Sequence, residues 1–218
     1  MTMVSGRFAG KRAVITGASS GIGRATAKRF VAEGGRVALI ARGEERLRQV
    51  VSEIGAADDV LVLPADCTDE ASITGAIDQA AAHFGGLDIV VSNAGIELLG
   101  QDDRVDRLSL DVWRRLLRNN LDGQFLTCKA GIKHLLRGAG GAVVCVGSNT
   151  GYLGMATNEP AYSASKGGVF AMMRVMAIDY AREGIRVNMV VPGFIDTPMN
   201  DDNPAHMNEV LVKWELCS

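Results

Sequence analysis

The sequence predicts an α/β fold in three layers, α/β/α, built on a doubly wound parallel sheet. Short segments that are almost wholly apolar alternate with longer segments whose apolar residues recur at helical spacing. Strands this apolar are covered on both faces, and right-handed crossovers place helices on each side. The 218 residues, 47% of them apolar, suffice for one sizeable core, so residues 1–218 are expected to form a single domain.

The first half of the chain alternates regularly between strand and helix. The first strand, Lys11–Thr16, is short and apolar, and the periodic helix at 21–33 ends at the paired glycines Gly34 and Gly35. The next predicted elements are a strand at Arg36–Ala41, a charged helix at Glu44–Ile54 and a strand at Val60–Pro64. Thr68 or Asp69 then caps a helix that runs to about Phe84.

The second half continues this alternation with longer helices. Apolar runs predict strands at Leu87–Val91, Ala142–Gly147 and Ile185–Val191. Helical periodicity predicts one long helix at Asp111–Arg137 and another at Pro160–Glu183. No linker interrupts this order.

Composition excludes several classes of function. A net charge of −2 leaves no basic field for nucleic acid or anionic lipid, and no run of about 18 apolar residues predicts a membrane span. The four cysteines are scattered without a CxxC pair, so no metal site is expected: Cys67, Cys128, Cys145 and Cys217. We expect a cytoplasmic protein with reduced thiols and no membrane or nucleic-acid partner.

The stretch Tyr162–Lys166 carries the sharpest chemical signal. A spacing of four residues puts a phenol and an ammonium on one face of a helix, one turn apart. Two unit charges ~4 Å apart gain roughly 4 kcal/mol at an effective dielectric constant of ~20. Lys166 is therefore expected to lower the pKa of Tyr162 by up to about three units, toward working pH for proton transfer. The alternative is an ordinary surface pair at helical spacing.

A glycine-rich turn follows the first predicted strand. Residues 16–23 read Thr-Gly-Ala-Ser-Ser-Gly-Ile-Gly, with three residues rather than one between the first two glycines. Backbone N–H groups without side chains can approach a pyrophosphate, and the next helix N-terminus faces the same charge. A purely structural turn is the alternative. Its position at the first βα turn of a Rossmann-like sheet favours phosphate binding.

Together these motifs resemble the short-chain dehydrogenase/reductase family over nearly the whole chain. Besides the glycine loop and the Tyr162–Lys166 pair, four further pieces stand in the family's order. They are Asn93-Ala94-Gly95, the helix residue Asn120, Ser148 at the end of strand five, and Pro192-Gly193 followed by Thr197. The resemblance implies an NAD(P)-dependent oxidoreductase that interconverts a secondary alcohol and a ketone.

The implied catalytic residues are Asn120, Ser148, Tyr162 and Lys166. Ser148 would donate a hydrogen bond to the substrate oxygen and Tyr162 would exchange its proton. As the resemblance implies, Lys166 also holds the nicotinamide ribose, and Asn120 positions a water that links Lys166 to solvent. The alternatives are an asparagine that caps its own backbone and a serine that merely ends a strand.

The residues at the end of the second predicted strand bear on the preference between NAD(H) and NADP(H). A dinucleotide site that prefers NAD places a carboxylate about twenty residues after the glycine loop, but here Ala41 is followed by Arg42. A guanidinium suits a 2′-phosphate, so NADP(H) is favoured over NAD(H), although Arg42 could equally be a solvated charge. With the contacts that the resemblance implies, the full set of expected cofactor-binding residues is Gly17, Ser19, Ser20, Gly21, Ile22, Gly23, Arg42, Asp66, Cys67, Asn93, Ala94, Gly95, Tyr162, Lys166, Pro192, Gly193, Ile195 and Thr197.

The C-terminal part departs from the family pattern. Residues 194–218 are interpreted as a partial substrate loop, with Glu209–Trp214 leading toward a family turn that Glu215–Ser218 replaces. The family's last helix and last strand are therefore expected to be missing, which leaves strand six as an edge. A non-catalytic dinucleotide-binding protein is the alternative function.

The expected partner is a second copy of the chain. As the resemblance implies, the helices at 111–137 and 160–183 are expected to pair into a homodimer, while the family's second interface, and with it a tetramer, is expected to be lost. The sequence offers more apolar residues there than one buried stripe needs. They are Leu116, Leu117, Phe125, Val169, Phe170, Met172, Met173 and Met176.

Overall fold

The computed structural model of the chain describes residues 6–154 and 157–199. Six parallel strands form one sheet in the order β3-β2-β1-β4-β5-β6. The strands are β1 Arg12–Thr16, β2 Arg36–Ala41, β3 Val60–Pro64, β4 Ile89–Ser92, β5 Gly141–Val146 and β6 Ile185–Val190. The helices are α1 Gly21–Ala32, α2 Glu44–Ile54, α3 Glu70–Phe84, α4 Leu110–Leu117, α5 Gly123–Arg137 and α6 Pro160–Asp179. The doubly wound α/β/α class is confirmed.

Helices cover both faces of the sheet. One apolar cluster joins α1 and α2 to the first strands through residues such as Phe30 and Leu47. A larger cluster joins α3, α5 and α6 to the other face through Ile77, Leu135 and Val169. The central strands β1, β2 and β4 contribute side chains to both clusters, as their near-continuous apolar runs predict.

Most predicted boundaries hold to within two residues, and α2, β2 and β3 have the predicted bounds. Asp69 caps α3 by accepting from the Ser72 N–H, which decides between the two candidate caps. The long helix predicted at 111–137 is wrong as one regular α-helix, because a wider π-type turn at Arg118–Asp122 separates α4 from α5. The helix predicted to reach 183 ends at Asp179, followed by a short 3₁₀ turn and Gly184 in the left-handed region.

The predicted surplus of surface apolar residues on these helices is partly wrong. Leu116 and Val169 are fully buried, and Met172, Met173 and Met176 are half-buried against the sheet. Phe125 is exposed as predicted, together with Val175 and Ile178 on α6, which the prediction did not name. The core takes more of the methionines because flexible side chains fill the gap between α6 and the sheet.

Within the described ranges β6 is an edge strand. Ile185 and Val187 point into the core, whereas Arg186, Asn188 and Val190 are exposed on the opposite face. The predicted segments Glu209–Trp214 and Glu215–Ser218, with Cys217, lie outside the described residues. Among the residues that the structure describes, no helix is both long and apolar enough to cross a membrane.

Candidate active site

A cavity of about 820 Å³ opens at the carboxyl ends of the strands. It lies where the strand order reverses, between β1 and β4, which is where open α/β sheets bind ligands. Nearly all of the predicted site residues line it. These are Gly17, Ser19, Ser20, Gly21, Ile22, Arg42, Asp66, Cys67, Asn93, Ala94, Gly95, Ser148, Tyr162, Lys166, Pro192, Gly193, Ile195 and Thr197.

The glycine loop is folded tightly between β1 and α1. Gly17 and Gly21 have positive φ angles, and a Cβ on Gly17 would lie 2.8 Å from the Asn93 Nδ2 atom. Gly23 is absent from the cavity lining. A Cβ on Gly23 would lie 2.4 Å from the Gly17 carbonyl oxygen, so this position packs against the loop itself. The missing side chains of Gly17, Gly21 and Gly23 therefore let the loop pack closely on Asn93, on Thr197 and on itself.

The N-terminus of α1 offers N–H groups to an anion. Ser20, at the N-cap position, makes no side-chain hydrogen bond to the helix, and the first turn carries no acidic residue. The helix dipole and the first-turn N–H groups therefore face the cavity without a competing carboxylate. These features suit a bound anionic group such as a pyrophosphate.

Asn93 joins the ends of β1 and β4. Its side-chain amide donates to the Thr16 carbonyl at 2.8 Å, and its backbone N–H donates to the Thr16 hydroxyl at 3.0 Å. The Ala94 N–H shares that hydroxyl at 3.1 Å. This arrangement explains why an Asn-Ala-Gly segment follows β4: it locks the floor of the cavity.

Asn120 lies behind the cavity wall rather than in it. Its side chain accepts from the Ile96 N–H at 2.7 Å and donates to the Ile96 carbonyl at 2.8 Å and to the Ser165 hydroxyl at 3.1 Å. A Cβ on Gly95 would lie 3.2 Å from its Oδ1 and 3.4 Å from the Lys166 Nζ. Asn120 therefore ties the segment after β4 to α6, and the π-type turn places it there.

Tyr162 and Lys166 meet on one face of α6, as predicted. The Lys166 Nζ is 5.6 Å from the centroid of the Tyr162 ring and donates to the Val146 carbonyl at 3.1 Å. Both residues are buried. Burial lowers the pKa of Lys166 to about 8, partly offset by the carboxylate of Glu97, which raises it.

The expected lowering of the Tyr162 pKa is wrong for the protein alone. Burial of the phenol raises its pKa well above the usual value, and the carboxyl groups of Glu97 and Glu159 raise it further. The Ser148 hydroxyl, which hydrogen-bonds the phenol, offsets part of this rise. The spacing of Tyr162 and Lys166 indicates only the effect of the lysine. Desolvation of the ring and the nearby carboxylates have the larger effect on the pKa of Tyr162.

Ser148 comes two residues after the end of β5 and lines the cavity together with Tyr162. Its hydroxyl is 3.1 Å from the Thr150 hydroxyl and accepts weakly from the Thr150 N–H at 3.4 Å. The hydroxyl hydrogen can rotate toward a ligand oxygen, because these contacts are long or exchangeable. Serine, phenol and ammonium thus converge on one region of the cavity.

The far end of the cavity is basic. Arg42 is exposed just after β2, and Arg46, which the sequence analysis missed, lines the cavity from the first turn of α2. Asp66 accepts from the Thr68 N–H at 2.8 Å and from its hydroxyl at 2.9 Å. These bonds, with Arg42 and Arg118 nearby, hold the pKa of Asp66 below its usual value. Cys67 is buried, and burial raises the pKa of its thiol to about 11.

Two further cavity residues escaped the sequence analysis, the carboxyl groups of Glu97 and Glu159. Burial raises the pKa of Glu159 to about 7, with contributions from Glu97 and Asp102, and burial also raises the pKa of Glu97. Neither position belongs to a motif, so no local pattern marks them. Glu97 lies two residues after the Asn93–Gly95 segment, and Glu159 directly precedes α6. Their closeness in sequence to these motifs was the only signal that could have pointed to them.

Comparisons with known proteins agree with this geometry. The family described as short chain dehydrogenase matches residues 11–208. A cis-4-hydroxycyclohexanecarboxylate dehydrogenase of Sinomonas cyclohexanicum is 39% identical over 94% of this chain and 81% of its own length. An NADP-dependent (R)-specific alcohol dehydrogenase of Lentilactobacillus kefiri is 37% identical over 90% of this chain and 77% of its own.

Solved structures share the fold over the same span. A short-chain type dehydrogenase/reductase from Mycobacterium marinum superposes with a TM-score of 0.85 at 33% identity. The superposition covers 91% of this chain and 80% of that one.

Proposed function

The chain belongs to the short chain dehydrogenase family, and on this basis we propose that it interconverts a secondary alcohol and a ketone, with NADP(H) preferred over NAD(H). One observation carries the proposal. Ser148, Tyr162 and Lys166 converge in a cavity whose other end is a glycine loop at a helix N-terminus. Acid–base groups and a dinucleotide cradle are thus combined in a single site.

The side chains have distinct roles in this reaction. Tyr162 donates its proton to the carbonyl oxygen during reduction and takes the hydroxyl proton during oxidation. Ser148 donates a hydrogen bond to the same oxygen, which stabilises the charge that develops there. The buried ammonium of Lys166 offsets the negative charge of a phenolate at Tyr162.

The cofactor would occupy the remainder of the cavity. A nicotinamide supplies or accepts the hydride at the carbinol carbon when it is bound. The glycine loop would hold the pyrophosphate, Asp66 the adenine, and Lys166 the nicotinamide ribose. Ile195 and Thr197, after Pro192 and Gly193, would border the carboxamide.

Arg42 and Arg46 support the preference for NADP(H). Both residues line the cavity, Arg42 directly after β2 and Arg46 in the first turn of α2. A 2′-phosphate placed there would meet cations, and one charge-assisted hydrogen bond is worth roughly 1.5–3 kcal/mol. An adenosine ribose without the phosphate gains nothing from them.

The proposal includes a homodimer. Exposed apolar side chains on α5 and α6, namely Phe125, Val175 and Ile178, support pairing of these helices across a two-fold axis.

Steady-state assays test the function directly. NADPH and NADH oxidation would be followed over neutral and carboxylated cyclic and linear ketones, with cofactor affinities measured separately by titration. We expect turnover that favours NADPH several-fold, and loss of that preference in Arg42→Ala. Tyr162→Phe should lower kcat by at least about a hundredfold while cofactor affinity stays near the wild-type value, since the phenol acts in the transition state.

Three outcomes would contradict these points separately. Equal affinity for both cofactors would refute the NADP(H) preference. A Tyr162→Phe variant that keeps most of its activity would show that another group is the acid. Tight cofactor binding without turnover over the whole panel would favour a non-catalytic dinucleotide-binding protein.

A further inference from the structure

The helix that carries Tyr162 has no local cap. Glu159 occupies the N-cap position of α6 but makes no side-chain cap hydrogen bond, and Pro160 has no N–H group. The Ser163 N–H donates to the Glu159 carbonyl at 3.0 Å, as the first regular helical bond. This leaves two first-turn N–H groups, those of Ala161 and Tyr162, to be satisfied from elsewhere.

Asp102 satisfies both of them. Its Oδ2 accepts from the Tyr162 N–H at 2.9 Å, and its Oδ1 accepts from the Ala161 N–H at 3.3 Å. The side chain reaches across from a loop 60 residues earlier than Tyr162 and is only 4% exposed. A carboxylate buried to this degree requires such partners, and the positive end of the helix dipole stabilises its charge.

The same loop is fixed to the cavity floor. The Asp102 N–H donates to the Leu98 carbonyl at 2.9 Å, and Leu98 packs with Tyr162 in a small cluster that includes Leu116 and Ala161. Leu98 follows the segment that Asn120 holds at Ile96. A short run of chain, residues 93–102, thus contacts the cofactor region at one end and the backbone of Tyr162 at the other.

We propose that Asp102 is a positioning residue. By holding the backbone of Tyr162, it fixes the position of the Tyr162 hydroxyl relative to Ser148 and Lys166. The proposal rests on the proposed dehydrogenase function. Ser148 is fixed by β5, whereas Tyr162 moves with the first turn of α6. Without the clamp that turn frays and the phenol shifts with it, although the cofactor contacts of Ser19–Ile22 and Arg42 stay in place.

The test compares Asp102→Ala and Asp102→Asn with Asp103→Asn. The neighbouring Asp103 pairs with Arg107 at the surface at 2.7 Å and is the matched control. Because a displacement of about 1 Å can cost a hundredfold in rate, we expect kcat of Asp102→Ala to fall roughly 10- to 100-fold. Cofactor affinity should change less than about threefold, since the binding groups are unaffected. Asp102→Asn keeps one acceptor and should lie between Asp102→Ala and the wild type.

A second measurement does not depend on activity. Amide hydrogen exchange should become faster at the first turn of α6 in Asp102→Ala, but not in Asp103→Asn, because only the former loses the acceptor. Kinetics would be measured at temperatures where all variants are folded. If Asp102→Ala does not fold, Asp102→Asn carries the same test of kcat against cofactor affinity.

The outcomes separate this proposal from the function itself. Wild-type kcat in folded Asp102→Ala, or unchanged exchange at the α6 N-terminus, would overturn the positioning role while the dehydrogenase function stands. A parallel fall in kcat and cofactor affinity would show general loss of structure and would also overturn it. A third outcome is that exchange is faster in Asp102→Ala while the wild-type protein turns over no substrate. This outcome would overturn the dehydrogenase function and, with it, a positioning role in catalysis.

Discussion

Tyr162 is governed by its whole environment rather than by one lysine. The ring is buried, Lys166 lies 5.6 Å from its centroid, and the ammonium of Lys166 also donates to the Val146 carbonyl. Glu97 and Glu159 bring negative charge to the same region and raise the pKa of the phenol. At neutral pH Tyr162 is therefore protonated in the protein alone, which suits the donation of a proton to a ketone.

Glu97→Gln should shift the pH dependence of catalysis. Removing a negative charge lowers the pKa of Tyr162, because the phenolate is then less disfavoured, and lowers the pKa of Lys166 as well. Alcohol oxidation requires the phenolate and rises with pH through the Tyr162 pKa. We therefore expect the rising limb of the kcat profile to move to lower pH, by more than the reproducibility of the profile.

Glu159→Gln is the graded control for this prediction. Glu159 contributes less than Glu97 to the pKa of Tyr162, so its shift should have the same direction and a smaller size. A Glu97→Gln profile that coincides with the wild type, or moves to higher pH, would contradict this account of the electrostatics.

At the residue scale, motifs predicted most of the residues that line the cavity but not the charged groups beside them. Ser148, Tyr162 and Lys166 belong to recognisable patterns, and the cavity brings them together. Glu97, Asp102 and Arg46 belong to no local pattern. Their importance arises from tertiary contacts, for example the bond between Asp102 and a backbone 60 residues away. Side-chain burial, which dominates the pKa of Tyr162, is likewise a property of the folded chain.

At the element scale, periodicity predicted where the helices lie but not how they are interrupted. The apolar spacing continues across residues 118–122, so a single helix was the natural prediction. One extra residue in the turn is enough to create the π-type geometry, and it does not change the hydrophobic pattern visibly. This turn places the fully buried Asn120 against Ile96. The two residues are distant in sequence, so their contact exists only in the folded chain and leaves no local pattern.

Close packing of α5 on β4 depends on a glycine. A Cβ on Gly131 would lie 2.5 Å from the Val90 Cγ2 and 3.0 Å from its Cγ1. Gly131→Ala should therefore lower the free energy of unfolding by about 1–3 kcal/mol, because the helix or the valine must move. Urea denaturation followed by circular dichroism measures this change.

Gly75→Ala in α3 is the matched control, since nothing lies within 4 Å of a Cβ there. It should raise the free energy of unfolding by roughly 0.5–1 kcal/mol through helix propensity alone. Equal effects of the two substitutions would show that α5 does not approach the sheet as closely as described.

At the scale of the whole molecule, two surfaces lack cover within the described residues. One face of the edge strand β6 exposes Arg186, Asn188 and Val190, so two of its three side chains are polar. The other surface is the outer side of α5 and α6, which is more apolar. An exposed polar strand face is stable in water, whereas a set of exposed aromatic and branched residues favours a protein partner. The proposed dimer therefore uses the helices.

Substitutions on α6 test the dimer. Val175 and Ile178 are three residues apart on one side of the helix and are 57% and 78% exposed. Light scattering coupled to size-exclusion chromatography should give twice the chain mass of 23.1 kDa for the wild type. Replacing both residues with glutamate should convert the dimer to a monomer, because like charges would face each other across the two-fold axis.

Val105→Glu is the control for this last prediction. Val105 is equally exposed, at 79%, but belongs to the loop before α4 rather than to α5 or α6. It should remain dimeric. A wild-type monomer would refute the helix interface, and a dimer that survives both glutamates would place the contact on another surface, with the β6 edge as the next candidate, since an unpaired strand can also join two copies.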